Sequence, residues 1–110
     1  MLDENEFRTR SEEALVSLQR ALERASDRHD FEVDNNAGAL SVEFEDPPAK
    51  FVVSPNAPVR QIWVSARVQS FKLDWNDAAA AFVLPDGRTL GQLIADVVSQ
   101  QLGERVSLVD

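Results

Sequence analysis

Residues 58–66, PVRQIWVSA, have the alternation of a β-strand and one side chain that breaks its chemical pattern. One face of this strand would carry the apolar residues Ile62, Val64 and Ala66. Trp63 falls on the other face, between polar Gln61 and Ser65. The largest apolar side chain of the segment is therefore predicted to lie among polar neighbours.

The segments that precede and follow the strands have the 3.6-residue period of amphipathic helices. The first helix is predicted over residues 4–26, with Asp3 or Asn5 as its cap and a stop at residues 26–27. Its buried stripe is Phe7, Ser11, Leu15, Leu18, Leu22 and Ala25, with Val16 outside the stripe. The second helix begins at Thr89, which forms a capping box with Gln92, and ends at Gly103.

Between the helices the period changes to two, which predicts a series of short strands joined by turns. These strands are predicted at residues 30–34, 40–45, 50–54, 60–66, 70–75 and 81–84. Short connections favour antiparallel pairing, and two amphipathic helices cover one face of such a sheet. We expect an α+β fold, a two-layer α/β sandwich in a single domain spanning residues 1–110, with both helices on one face of a five- to six-stranded, mostly antiparallel sheet. The tail residues Val106, Leu108 and Val109 are expected to fold back between the helices.

Composition excludes several functional classes. The net charge of −8 argues against a nucleic-acid partner, which would require an excess of Lys and Arg. With no cysteine and one histidine, any metal must be bound mainly by carboxylates, which suit hard cations. No apolar run approaches the ~20 residues that span a bilayer, and residues 1–10 do not resemble a signal peptide. We therefore expect a cytoplasmic protein without a membrane partner.

Carboxylates are concentrated between the first helix and the first strand. Asp30, Glu32 and Asp34 share one strand face, and Glu23 and Asp27 lie one helical turn apart. Two interpretations stay open, a cation site or a solvated acidic edge that discourages aggregation. A basic stripe, Arg20, Arg24 and Arg28, favours the second interpretation. For the neighbouring His29, a solvated loop position is favoured over a ligand role.

Trp63 also allows two interpretations. It either packs over neighbouring strands on the open face or anchors a partner, with Lys72 and Asp74 in a polar rim. No pattern of a catalytic nucleophile, phosphate-binding loop or zinc protease occurs, and Asp74 with Asp77 is a weak acid–base pair. We do not expect an enzyme.

Three motifs together resemble the frataxin family, and the bacterial branch in particular. They are QIWVS at residues 61–65, followed by LDW at residues 73–75; DG with Leu90, Leu93 and Ile94 at the second helix; and QQLGERVS at residues 100–107. The resemblance covers essentially the whole chain in order. It implies the helix–sheet–helix sandwich predicted above, and a monomer.

The resemblance also implies a function. Frataxins are iron-binding proteins that modulate iron–sulfur cluster assembly and contact the cysteine desulfurase and its scaffold protein. By resemblance, weakly and exchangeably bound iron (Fe²⁺ or Fe³⁺) would lie on an acidic ridge of Glu12, Glu23, Asp27, Asp30, Glu32 and Asp34. The partner surface would comprise Asn56, Gln61, Trp63, Ser65 and Lys72. The alternatives are an interaction regulator whose acids only steer toward a basic partner and, ranked last, a ferroxidase.

Three features depart from the family pattern. Arg20, Arg24 and Arg28 dilute the ridge, which weakens the expectation of iron binding. Residues 54–56 read SPN where many members have Asn-Lys-Gln, and Phe82 stands in place of a second tryptophan, after an alanine-rich insertion.

Overall fold

Both helices begin at reciprocal caps. In this computed structural model, which describes residues 2–108, α1 spans Glu4–Ser26 and α2 spans Leu90–Leu102. Asp3 rather than Asn5 caps α1: its carboxylate accepts from the Glu6 backbone N–H at 2.8 Å, and the Glu6 side chain accepts from the Asp3 N–H. Thr89 and Gln92 form the predicted capping box of α2, which ends against Gly103 (φ +68°).

The strands form one six-stranded meander in which each strand pairs with the next in antiparallel fashion. Their bounds are β1 Glu32–Asn36, β2 Ala39–Glu45, β3 Pro48–Asn56, β4 Gln61–Ala66, β5 Gln69–Asn76 and β6 Ala81–Val83. A short 3₁₀ turn, Ala57–Val59, joins β3 to β4. The predicted fold class is therefore confirmed, with six strands.

Most predicted strand limits differ from the structure by one or two residues, and three of the strand starts have a clear cause. β1 starts at Glu32, so Asp30 lies in the loop that precedes it. β3 starts at Pro48, because a proline at the first position of a strand costs no interior ladder bond. β4 starts at Gln61, because Arg60 adopts a left-handed conformation (φ +55°) that ends the 3₁₀ turn.

The core lies between the sheet and the two helices. From α1, Phe7 meets Phe82 of β6 edge to face, with ring centroids 5.8 Å apart. Val106 is buried, and Leu108 packs against the core in a groove between α1 and α2, as predicted for the tail. The third tail residue of that prediction, Val109, lies outside the described residues. Within residues 2–108, no helix is long and apolar enough to span a bilayer.

The turn between β4 and β5 is strained. Its two central residues, Arg67 and Val68, have φ of +51° and +60°, the left-handed region that favours glycine and asparagine. Val68 is β-branched, and its side chain is fully exposed. Arg67 donates to Gln101 of α2 at 3.0 Å, and the Gln101 amide donates to the Pro47 carbonyl at 3.1 Å. The turn is thus fixed to the end of α2 and to the β2–β3 turn.

Replacing Val68 by glycine is expected to stabilise the protein. The left-handed conformation costs a non-glycine residue about 1–2 kcal/mol, and glycine adds about 0.5–1 kcal/mol of lost chain entropy. We expect Val68→Gly to raise the free energy of unfolding in urea by about 0.5–1 kcal/mol. As a control, Val59→Gly in the 3₁₀ turn relieves no such strain and should lower the free energy of unfolding. Equal destabilisation by both substitutions would contradict this account of the turn.

The cap at Asp3 predicts a defined pH dependence. The hydrogen bond from the Glu6 backbone N–H holds the pKa of Asp3 below its ordinary value. Stability from this contact is complete above about pH 4 and is lost as the pH falls through the lowered folded-state pKa. The free energy of unfolding of Asp3→Asn should therefore fall less than that of the wild type between about pH 5 and pH 2. Parallel stability–pH curves for the two proteins would exclude this role.

Candidate functional site

Trp63 lies near the middle of the sheet face that the helices leave uncovered. Because side chains alternate along β4, Ile62 and Val64 enter the core while Trp63 points away from it. Its direct cross-strand neighbours are Ser54 on β3 and Lys72 on β5. The sequence-based prediction that Trp63 occupies the open face is confirmed by this register.

The indole ring of Trp63 is fixed by its polar neighbours. Its Nε1 donates to Gln61 Oε1 at 2.9 Å, and Gln61 Nε2 donates to Asp74 Oδ1 at 3.1 Å. On the other side, the Lys72 ammonium lies 5.0 Å from the ring centroid, in a cation–π contact. Even so, 38% of Trp63 is exposed. The ring therefore packs on its neighbours, as one interpretation predicted, and still presents a large pre-oriented apolar surface.

A shallow hollow of about 210 Å³ lies beside this ring. It exists because small side chains surround a large one: Ser54, Ser65 and Ser70 stand next to Trp63 on three adjacent strands. Sequence analysis placed Ser65 beside Trp63 and noted Ser54 only as a departure from the family pattern; the pairing register is what brings Ser54 and Ser70 to the ring. Of the predicted partner residues, Asn56 pairs with Gln61 and is half-buried at the end of this surface.

The acidic residues are only partly brought together. Glu23 of α1 and Glu32 and Asp34 of β1 line a shallow groove of about 340 Å³ at the sheet edge. A fourth carboxylate, Glu43, also lines it, because β2 places Glu43 directly opposite Glu32. Glu43 could have been found from sequence by pairing the two strands across the turn at residues 37–38. Like charges in a direct cross-strand pair destabilise a sheet, so this pairing carries a cost.

The other predicted ridge residues lie outside this groove. Asp27 caps the end of α1, and Asp30 lies in the following loop. Glu12 is about 16 Å from Glu23 along the helix axis and lines a different groove, beside the β1–β2 turn. Within residues 2–108, no three His, Cys, Asp or Glu side chains are arranged to hold a metal ion.

Lys50 and Gln19 contact two of the groove carboxylates. Lys50 of β3 lies 3.9 Å from Glu43, and Gln19 donates to Glu23 at 3.5 Å. Among the described residues, Arg20 and Arg28 form no ion pair with the groove carboxylates. Arg20 and Arg28 therefore do not neutralise the groove, which is lined by four carboxylates.

His29 was predicted to be a solvated loop residue, and this was wrong. Only 16% of its side chain is exposed, and its Nδ1 lies 3.0 Å from Glu104 Oε2, beyond the end of α2. Asp74 and Asp77, which were considered as a weak acid–base pair, each accept a hydrogen bond from another residue. Asp74 accepts from Gln61, and Asp77 accepts from Trp75 Nε1 at 2.8 Å, so each carboxylate orients a tryptophan, Asp74 through Gln61.

Comparison with known proteins agrees with this architecture. The family model described as the frataxin-like domain matches residues 1–104. A protein of Azotobacter vinelandii named iron–sulfur cluster assembly protein CyaY is 35% identical over 100 residues, covering 88% of this chain and 90% of the relative. A protein of the same name from Dechloromonas aromatica is 34% identical, covering 97% and 99%.

The fold comparison gives the same result. The solved structure of frataxin from Psychromonas ingrahamii superimposes with a TM-score of 0.84, at 18% identity, over 99% of this chain and 100% of that one. The sequence motifs, the one-sided six-stranded sheet and these matches lead to one conclusion: the chain belongs to the frataxin family, in its bacterial CyaY branch.

Proposed function

We propose that this protein modulates iron–sulfur cluster assembly in the bacterial cytoplasm by docking through its open sheet face on the cysteine desulfurase and its scaffold protein. The observation that carries the proposal is Trp63, which is held in one orientation and yet 38% exposed. A pre-oriented tryptophan loses little side-chain entropy on binding, and tryptophan is enriched at interface hot spots. The two relatives described above are matched over 90% and 99% of their length, and both are named iron–sulfur cluster assembly proteins. This name supports the choice of pathway.

We further propose that the groove lined by Glu23, Glu32, Asp34 and Glu43 carries iron as cargo. Carboxylate oxygens suit hard cations such as Fe²⁺ and Fe³⁺. The four side chains come from one helix and two strands on an open surface, so binding requires them to reorient or to share bridging waters. Both requirements favour weak, exchangeable binding, which suits a protein that gives up its metal. Asp27, Asp30 and Glu12 would contribute only long-range attraction.

The second candidate function is an interaction regulator without an iron site. It is favoured by the absence, within the described residues, of any three side chains arranged around a metal. In that case the acidic groove steers the protein toward a basic partner, and the association rate falls with ionic strength whether or not iron is present.

The docking role predicts the effect of Trp63→Ala. A hot-spot tryptophan contributes about 2 kcal/mol to the binding free energy. Its loss should therefore weaken binding to the desulfurase–scaffold complex roughly 30-fold. Because Trp63 is outside the core, the free energy of unfolding should change little. In an assay of cluster formation on the scaffold with limiting Fe²⁺, the wild type should change the rate, and the variant should require a much higher concentration for the same effect.

The control for this experiment is Val16→Ala, which removes an exposed apolar side chain from the helical layer. This variant should behave as the wild type. If the wild type neither binds the desulfurase–scaffold complex nor changes the rate of cluster formation at any iron concentration, the proposed function is wrong.

The iron role predicts that Glu32→Gln, Asp34→Asn and Glu43→Gln together reduce Fe²⁺ affinity at least tenfold in calorimetry, since three of four oxygen donors lose their charge. A matched triple variant, Glu4→Gln, Glu13→Gln and Asp46→Asn, makes the same charge change outside the groove and should retain iron. If the groove variant binds iron normally, the cargo site lies elsewhere. If it loses iron but still changes the assembly rate, the regulator without iron is the correct description.

A further inference from the structure

The tip of the β4–β5 hairpin combines two features that a folded protein usually avoids. Arg67 and Val68 both have positive φ, and Val68 is a fully exposed apolar residue. The other exposed large apolar residues of residues 2–108, namely Val16, Val59 and Trp63, are between 38% and 48% exposed. Val68 is thus the most exposed large apolar side chain among the described residues.

Nothing in the fold accounts for this choice of residue. Asparagine and glycine suit such a turn better, and no described core residue packs against Val68. The backbone is nevertheless fixed, since Arg67 is bonded to Gln101, which is bonded to Pro47. Strain of this kind, held in place by its surroundings, is concentrated at binding and switch sites.

The tip is continuous with the surface around Trp63. On the open face, Ser65 pairs with Ser70 one residue pair before the turn, and both line the hollow beside the Trp63 ring. Three residues of β4 lie between Trp63 and Arg67, so the two positions are about 13 Å apart along the strand. Both therefore fit within one interface of ordinary size, about 800 Å² per partner.

The chemistry of the tip specifies what it fits. It is convex and apolar at Val68, so its complement is a concave apolar cleft. Arg67 adds a positive charge on a protein whose net charge is −8, and its guanidinium keeps N–H donors beyond the bond to Gln101. A carboxylate is the group that matches this planar donor set.

We propose that the Arg67–Val68 tip is a second anchor of the docking surface, and that it inserts Val68 into an apolar cleft of the partner with a carboxylate at its rim. This inference rests on the proposed function, because the partner is the one that covers Trp63. The acidic groove and the basic tip lie at different places on the protein, so opposite charges on the partner would also set the orientation of docking.

The test compares two valines under the same substitution. Val68→Thr keeps the shape and β-branching of the side chain but makes it polar, and Val16→Thr does the same on α1. Binding to the desulfurase–scaffold complex is measured by calorimetry for these two variants, Val68→Gly, Trp63→Ala and the wild type. We expect Val68→Thr and Val68→Gly to weaken binding at least fivefold and Val16→Thr to leave it unchanged.

Val68→Gly separates the proposal from a structural role, because the fold should become more stable while binding becomes weaker. If Val68 instead had a structural role, Val68→Gly would lower both the stability of the fold and the affinity for the complex. If both Val68 variants bind within fivefold of the wild type while Trp63→Ala is weakened, the tip is not an anchor and the proposed docking surface stands. If Trp63→Ala also binds normally, or the wild type does not bind, both proposals are overturned.

Discussion

The structure depends on covering one face of an antiparallel sheet with two helices. Along β2 and β4, every second residue is apolar and buried, as with Leu40 and Ile62, and β3 buries Phe51 and Val53. The helices supply the facing stripes, with Phe7 and Leu22 from α1 and Leu93 and Ile94 from α2. Each apolar side chain withdrawn from water contributes about 1.5–3 kcal/mol, so neither layer is stable without the other. Caps at Asp3 and Thr89 then fix where each helix starts.

This one-sided arrangement leaves a broad sheet face that stability does not require to be apolar. A tryptophan on that face is therefore not explained by the core. Gln61 accepts a hydrogen bond from the indole of Trp63, and Lys72 lies beside the face of the ring. These neighbours fix the orientation of the ring but leave part of it exposed. The same hairpin ends in a turn whose residues reduce stability. Two features that add nothing to the core thus occur on one hairpin, which is why we propose a docking role for the hairpin.

The acidic groove is determined by the charges of its side chains and not by apolar packing. Glu32 and Glu43 face each other across two strands, and Lys50 lies 3.9 Å from Glu43. Unfavourable repulsion of this kind is relieved by any bound cation, whether it is a metal ion or a basic side chain of a partner. The groove carboxylates are open to solvent and are not gathered around one point. Because these side chains are carboxylates, a ligand of the groove must carry positive charge.

The sequence by itself determined the elements, the one-sided sandwich and the face on which Trp63 lies, because these follow from local periods of 3.6 and two residues and from capping chemistry. It also carried the motifs of the family. Only the tertiary structure decided which carboxylates meet: it added Glu43 to the groove, left Glu12 about 16 Å from Glu23, and paired His29 with Glu104. It likewise revealed the left-handed turn at Val68. The physical reason is that register, loop conformation and contacts between distant segments arise from the packing of the whole chain, whereas periodicity is a property of each segment alone.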